Sequence, residues 1–180
     1  RESAIESLAE NFNDSVVAPL FWFVLLGLPG AALYRFANTA DAMWGYRGPR
    51  GGREWEWAGK WAARADDVLS WVPARLSAGL LVCSSGAGLS SGRAVHSALS
   101  REARRTPSPN SGWPMAAMAL LLGVRLGKPG VYTLNASGRV PDASDTARAA
   151  QLGWRALVGL VACAAVVAAL LAWLWATLPR

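Results

Sequence analysis

Two long apolar runs dominate the hydrophobic pattern of the chain. Residues 156–178 contain no charged side chain, and at about 1.5 Å per residue a helix of that length crosses a bilayer core of roughly 30 Å. Residues 16–36 form a second run, which is interrupted at Gly27, Pro29 and Gly30. A break at membrane depth is tolerated only where protein or water satisfies the freed backbone groups. The pattern therefore predicts two membrane spans, the first of them broken.

Three further segments are shorter or more mixed in character. Residues 68–89 are apolar but contain a proline and an arginine, so we expect a span, a re-entrant segment or an interfacial segment. Basic loops lie on both sides, and if both are cytoplasmic the segment re-enters or lies flat. Residues 113–126 are too short to span and predict a short interfacial or re-entrant helix. Residues 127–153 form a connector without a strong period. Residues 1–180 are thus predicted to be a single membrane domain: an all-α, multi-pass integral membrane helical protein with broken or re-entrant helices and polar loops.

The composition agrees with a membrane protein and argues against nucleic-acid binding. The chain is 53% hydrophobic and 17% charged, whereas soluble domains average about 25% charged residues. Several of its ten tryptophans lie at the edges of apolar runs, as in interfacial belts. The net charge is +6, but the basic residues lie in loops beside apolar runs, which is the pattern of cytoplasmic loops. We therefore expect a multi-pass protein of the inner (cytoplasmic) membrane, in contact with lipid and with no nucleic acid.

The cysteines and the single histidine give no sign of a metal or catalytic site. Cys83 and Cys163 lie inside apolar runs without ligand-like spacing, so we interpret them as small buried apolar residues. His96 lies between basic residues in a loop and is expected to be solvated. Candidate chemistry must therefore come from carboxylates, amides and arginines.

Three acidic residues spaced by four precede the first apolar run. On a helix Glu6, Glu10 and Asp14 share one face, with Asn11 one position round. Like charges at this spacing repel, and a metal, another cation or a positively charged ligand would remove the repulsion. The alternative is a solvated amphipathic helix before the membrane, and the spacing favours neither.

Two more acidic clusters lie beside the apolar segments. Asn38 and Asp41 are three apart and would share a face if the helix continues, although this spacing is more often a cap or a turn. Asp66 and Asp67 are adjacent, and Arg75 falls on the helical face of Asp67. Asp67 and Arg75 would form either a polar pair in a low-dielectric layer or an ordinary surface pair in which the arginine extends to water.

The segment TPSPNSGWP is rigid because it holds three prolines. It presents Ser108, Asn110, Ser111 and backbone donors in a fixed array, which suits the recognition of phosphate or amide groups. A plain turn at a helix boundary would use the same residue types. The common nucleotide and zinc signatures, GxxxxGK[ST], the Rossmann glycines and HExxH, are absent from the sequence.

With these polar clusters in view, the chain resembles the adenosylcobinamide-phosphate synthase (cobinamide synthase) family of cobalamin-biosynthesis membrane proteins. The order and spacing of the matching segments fit that family and cover most of residues 5–129. The segments are IESLAENFNDSVVAPLFW (5–22), YRFANTADAMWGY (34–46), ARADDVLSWVPARLSA (63–78) and PSPNSGWPMAAMALLLGVRLGKP (107–129). Members carry additional N-terminal membrane helices, so we expect the chain to be the C-terminal part of a longer protein, in agreement with a first residue, Arg1, that enters mid-helix.

The resemblance implies a ligase of cobalamin biosynthesis. Such an enzyme joins adenosylcobyric acid to aminopropanol, or to its phosphate, through an amide bond whose formation is driven by ATP. This chemistry needs Mg²⁺ to neutralise phosphate charge, donors for the oxyanions and a base for the ammonium. The implied partners are the corrinoid, the amine, ATP with Mg²⁺, and other late cobalamin-assembly membrane enzymes.

The polar clusters supply candidate groups for each of these tasks. The residues assigned to catalysis are acidic: Glu6, Glu10, Asp14, Asp41 and Asp67. The residues assigned to the metal are Asp14, Asp41 and Asp66. The residues assigned to substrate binding carry amide, hydroxyl or guanidinium groups: Asn11, Asn38, Arg75, Ser108, Asn110 and Arg125.

A non-catalytic membrane protein of the same fold is the alternative interpretation. It would be a scaffold for corrin assembly or a signalling relative resembling the inner-membrane protein associated with β-lactamase induction. The retained carboxylates favour the enzyme, whereas Met115 favours the alternative, because members of the family often have glutamate there. A transporter would show paired inverted repeats with broken helices, and the sequence has no such symmetry.

If the glutamate that Met115 replaces is catalytic, Met115→Glu should raise turnover by about tenfold or more, the scale of a restored acid or base. The measurement is amide formation from adenosylcobyric acid, followed by mass spectrometry. Met118→Glu, which changes a methionine of the same run, serves as the control. Unchanged turnover in Met115→Glu would show that the position is structural.

Overall fold

The computed structural model describes residues 1–45, 48–86 and 97–177. Its helices are α1 (Glu2–Phe12), α2 (Ala18–Trp44), α3 (Glu56–Ser84), α4 (97–103), α5 (Gly112–Leu122) and α6 (Ala143–Thr177). A π-helical turn, Asn13–Val17, joins α1 to α2. Two short antiparallel hairpins lie between helices: β1 (Pro49–Arg50) with β2 (Arg53–Glu54), and β3 (Leu126–Lys128) with β4 (Tyr132–Leu134). The described part is thus mostly helical, and the all-α prediction missed only the hairpins.

Helix α5 is the centre of the fold. Residues 114–119 are buried, and α1, α3 and α6 pack around them. A helix that is apolar all round is one surrounded by protein, so the run from 113 to 122 is a core helix of the bundle. The interfacial or re-entrant placement expected for 113–126 stays a prediction. The helix ends at Leu122 because Gly123 takes a left-handed conformation (φ 67°), after which the chain enters β3.

Helix α2 turns an apolar surface away from the bundle. Most of its large apolar side chains between residues 20 and 36 are exposed. Gly27 (φ 66°), beside Pro29, turns the chain back on itself where the sequence predicted a break, since Arg35 Nη1 donates to the carbonyl of Asp14 at 3.0 Å, whereas a straight helix would place these residues about 30 Å apart. Two helical stretches in the described chain are long and apolar enough to cross a membrane, Glu2–Trp44 and the greater part of α6. The run 16–36 lies within the first stretch but folds back at Gly27, and most of the run 156–178 lies within the second. That these runs cross the membrane stays a prediction.

Helix α3 is continuous from Glu56 to Ser84 and passes through Pro73 without a break. It packs along α2, α5 and α6. The described part of 68–89 therefore does not turn back, as a re-entrant segment would. This helix is also not one of the two that are apolar enough to span.

The expected connector 127–153 contains the β3–β4 hairpin and the start of α6. Asp142 accepts the N–H of Ser144 at 2.7 Å, and Asp145 accepts the N–H of Asp142 at 2.9 Å, which forms a reciprocal helix cap. Arg139 donates to both oxygens of the buried Asp145, each at 2.6 Å. These bonds fix the direction in which α6 leaves the bundle.

The cysteines differ from expectation. Cys83 and Cys163 are exposed rather than buried, because Cys83 lies on the outer face of α3 and the apolar part of α6 has little protein around it. His96 lies outside the described residues.

Candidate functional site

Four aspartates from three segments lie close together, and we call them the carboxylate cluster. Asp14 comes from the π-helical turn, Asp41 from the end of α2, and Asp66 and Asp67 from α3. The other three are all within electrostatic range of Asp66. The cluster forms because α2 and α3 pack against each other and against the π-helical turn. Single π-helical turns inside helices occur frequently at functional sites.

Neutral side chains hold the cluster together. Asn38 Nδ2 donates to Asp66 Oδ1 at 3.1 Å, and the Ser70 hydroxyl donates to the same oxygen at 3.5 Å. The Tyr34 hydroxyl donates to Asp14 Oδ1 at 3.4 Å and lies 3.3 Å from the Ser70 hydroxyl. The network links the π-helical turn, α2 and α3, and because its donors are neutral it leaves the charge of the carboxylates in place.

No cation pairs with the cluster within the described residues. None of its carboxylates forms an ion pair there, and the nearby Arg35 donates to the backbone carbonyl of Asp14 at 3.0 Å. Burial raises the pKa of Asp66 to about 6, and repulsion by the other three carboxylates adds to the effect. Burial and repulsion by Asp41 also raise the pKa of Asp67. The cluster therefore has uncompensated negative charge that a cationic ligand would relieve.

Glu6 and Glu10 form a second acidic group on α1. The Tyr132 hydroxyl donates to Glu6 Oε1 at 2.9 Å and lies 3.8 Å from Met115 Sδ. Glu10 is within electrostatic range of both Glu6 and Asp14, so it connects this group to the carboxylate cluster. Met115 is only 1% exposed, so a glutamate in its place would lie beside Tyr132 and Glu6.

The polar loop before α5, residues 106–111, is held against α3 by hydrogen bonds. Asn110 Nδ2 donates to the carbonyl of Asp67 at 2.8 Å, and Asn110 Oδ1 accepts from Arg75 Nη1 at 3.3 Å. The guanidinium of Arg75 lies 4.1 Å from the ring centroid of Trp71 and 4.6 Å from that of Trp113. The sequence offered an ion pair between Arg75 and Asp67 as one alternative, and the structure has no such pair. Arg75 instead positions the loop before α5 through its hydrogen bond to Asn110.

Ser108 shapes the same loop. Its hydroxyl accepts the N–H groups of Asn110 and Ser111, each at 3.2 Å, in the turn that precedes α5. Ser108 and Asn110 thus already have partners inside the protein. Their contact with a substrate stays a prediction.

Two predicted substrate-binding residues lie away from the carboxylate cluster. Asn11 is exposed beside a groove that Trp154 and Leu157 also line. Arg125 is exposed beyond the far end of α5, about 16 Å along that helix from the polar loop. Its backbone N–H donates to the carbonyl of Arg139 at 2.7 Å. The other predicted residues fall into three sets: the carboxylate cluster with Asn38, the second acidic group on α1, and the loop before α5 with Arg75.

Four buried polar residues of the network were missed by sequence reasoning: Asn13, Tyr34, Ser70 and Ser77. Asn13 accepts from Ser77 at 2.9 Å and donates to Asp14 at 2.7 Å. It follows Glu6 by seven residues, which places it on the same helical face, and this signal could have identified it in place of Asn11. Ser70 follows Asp66 by four, which is the same kind of signal.

The described residues contain no group of three or more His, Cys, Asp or Glu side chains arranged to hold a metal ion. Carboxylate and amide oxygens are nevertheless the ligands that Mg²⁺ prefers, and Mg²⁺ often uses only one or two carboxylates together with water and substrate phosphate. The donors of the cluster therefore fit a Mg²⁺ ion that arrives with a phosphate, and do not form a closed protein cage.

Comparison with known proteins identifies similar chains. The family described as CobD/Cbib protein matches residues 1–157. The probable cobalamin biosynthesis protein CobD of Methanothermobacter thermautotrophicus is 51% identical over 132 residues, which are 73% of this chain and 43% of the relative. That of Thermococcus kodakarensis is 50% identical over 159 residues, 88% of this chain and 49% of the relative.

A bacterial relative covers even more of the chain. The cobalamin biosynthesis protein CobD of Brucella melitensis is 44% identical over 179 residues, which are 92% of this chain and 54% of the relative. The chain thus spans about half the length of the curated relatives that it matches. No solved structure matches it.

The uncompensated charge predicts a pH-dependent gain in stability for Asp66→Asn. Because the folded pKa of Asp66, about 6, lies above its ordinary value of 3.8, the stability conferred by its protonated form is lost as the pH rises through about 6. Asparagine keeps an acceptor for Asn38 and removes the charge. In EDTA at pH 8 the variant should melt about 2–4 °C above wild type, with a smaller difference at pH 5.

The control for this prediction is Asp142→Asn. Asp142 is exposed, and its hydrogen bonds with Ser144 lower its pKa, so its substitution should not raise the melting temperature at pH 8. If the Asp66→Asn protein melts at or below the temperature of wild type at pH 8, the charge of Asp66 does not destabilise the folded protein, which contradicts the prediction.

Proposed function

Since the chain belongs to the CobD/Cbib family of cobalamin-biosynthesis proteins, we propose that it carries the acidic site of an adenosylcobinamide-phosphate synthase. This enzyme forms an amide bond between adenosylcobyric acid and aminopropanol, or its phosphate, and uses ATP. The observation that supports the proposal is the carboxylate cluster, four acidic groups from three segments without an ion-pair partner among the described residues.

The carboxylate oxygen of the corrin is a poor leaving group, and the reaction must first convert it into a good one. We propose that the corrin carboxylate takes a phosphoryl group from ATP, which gives an acyl phosphate and ADP. The amine nitrogen then attacks the acyl carbon, the bond from that carbon to the phosphate oxygen breaks, and inorganic phosphate leaves. The amine arrives as an ammonium and must first give up a proton, so a carboxylate base is needed beside it.

The acidic residues of this chain suit the two cations that such a reaction brings together. We assign Mg²⁺ to one or two carboxylates among Asp14, Asp41 and Asp66, where it would neutralise phosphate oxygens when bound. We assign Asp67, with Glu10 and Glu6 behind the cluster, to the ammonium and its proton. The network of Tyr34, Asn38 and Ser70 holds the carboxylates in place before any ligand binds.

A location in the inner (cytoplasmic) membrane is part of the proposal. The exposed apolar surface of α2 and the long apolar stretch of α6 support it, since both would be costly to leave in water. In a membrane the carboxylate cluster would lie near the boundary, because it forms at the start and end of α2 rather than in its apolar middle.

The proposed reaction is tested with the full-length protein in detergent. It is supplied with adenosylcobyric acid, ATP·Mg²⁺ and either aminopropanol or its phosphate, and amide formation is followed by mass spectrometry. Asp14→Asn and Asp66→Asn should each lower kcat/KM by about 100-fold or more, because each removes a charge from the site. Asp142→Asn, which changes an exposed aspartate at the start of α6, should leave kcat/KM within about twofold of wild type.

Full activity in both cluster variants would contradict the assignment of the site. A wild-type protein that forms no amide with either amine would instead support the non-catalytic membrane scaffold, the interpretation that the buried Met115 favours.

A further inference from the structure

A polar cavity of about 480 Å³ opens beside the first turns of α3. Four charged side chains line it: Glu56, Lys60, Arg64 and Asp67. Lys60 and Arg64 are four residues apart, so the helix places both cations on one face. The cavity is therefore a second charged site, and unlike the carboxylate cluster it is partly basic.

The cavity is continuous with the carboxylate cluster. Asp67 belongs to both. Gly45 lines the cavity and also touches Asp41, since a Cβ at this glycine would overlap Asp41 Oδ1. A ligand that fills the cavity would thus reach two carboxylates of the cluster.

The charged groups of the cavity are not paired with one another. Within the described residues none of the four takes part in an ion pair. One oxygen of Glu56 accepts the backbone N–H of Gly48 at 3.3 Å, so this carboxylate holds the residue before β1 against the start of α3. The ammonium of Lys60 lies 5.3 Å from the ring centroid of Trp57. Lys60 and Arg64 therefore have no anionic partner in the described protein.

We propose that Lys60 and Arg64 form a subsite for a phosphate monoester or polyphosphate group. The adjoining carboxylates would bind the cation that accompanies this phosphate, either a divalent metal or an ammonium on the same molecule. Arginine and lysine are the side chains that bind phosphate through charge-assisted hydrogen bonds. The inference rests on the proposed function, which supplies two ligands with this chemistry: the terminal phosphates of ATP and a phosphorylated amino alcohol.

The position of the cavity near the start of α3 agrees with an anionic ligand. Helix N-termini carry a partial positive charge that favours anions. The volume also suits a group larger than a single ion, since small-molecule sites begin at about 300 Å³.

The test measures binding, so that it does not depend on turnover. The full-length protein in detergent is titrated calorimetrically with ATP·Mg²⁺, with aminopropanol phosphate and with unphosphorylated aminopropanol. Lys60→Gln and Arg64→Gln should each weaken binding of the phosphorylated ligand by about tenfold, and the double variant by more, because each removes one charged hydrogen bond. Binding of aminopropanol should not change.

Two further variants keep the result interpretable. Lys60→Arg retains the positive charge and should keep the affinity within about threefold of wild type, which separates loss of charge from loss of folding. Arg101→Gln removes an exposed cation that does not line the cavity and controls for the overall charge of the protein.

The ligand whose binding the variants weaken identifies which of the two phosphates occupies the subsite. Weaker binding of ATP·Mg²⁺ alone would assign the subsite to the nucleotide, and weaker binding of aminopropanol phosphate alone would assign it to the amine donor. The inference is overturned if wild type binds neither ligand, if the double variant binds both as tightly as wild type, or if Arg101→Gln weakens binding equally. Phosphate binding without amide formation would contradict the proposed reaction and leave the subsite standing.

Discussion

The site depends on keeping four carboxylates together although none of them forms an ion pair among the described residues. Like charges repel more strongly where burial removes water between them. The protein offsets this repulsion mainly with two neutral donors at ordinary hydrogen-bond distances, Asn13 for Asp14 at 2.7 Å and Asn38 for Asp66 at 3.1 Å. Hydrogen bonds to a carboxylate are roughly twice as strong as those between neutral groups. They hold the carboxylates in position and leave their charge for a ligand.

The core of the bundle positions this site from two sides. The buried α5 supports α1 and α3, and the loop that precedes it is tied to α3 through Asn110 and Arg75. The same helix α3 carries Asp66 and Asp67 toward α2, and Lys60 and Arg64 into the adjoining cavity. One rigid helix therefore sets the distance between the acidic and basic halves of the site, which suits a ligand that carries both a cation and a phosphate.

Spacing along the chain predicted which residues of this site share a helical face. It did not predict which residues of other segments lie beside them in the folded protein. The interval of four between Glu6, Glu10 and Asp14 was visible in the sequence, but the partners of Asp14 lie in α2 and α3, which only packing brings near. The sequence analysis chose Asn11, which is exposed, and missed Asn13, which is buried in the network. The apolar run over 113–126 has no polar face, so periodicity could not tell a membrane-associated helix from the core helix α5.

Mn²⁺ binding, followed by electron paramagnetic resonance, tests most directly whether the carboxylate cluster binds a cation. Mn²⁺ takes the same oxygen ligands as Mg²⁺. We expect wild type to bind about one Mn²⁺ per chain at the cluster, and the double variant Asp14→Asn/Asp66→Asn to lose it while Asp142→Asn retains it. Absence of bound Mn²⁺ in wild type, or equal binding in the double variant, would contradict the account.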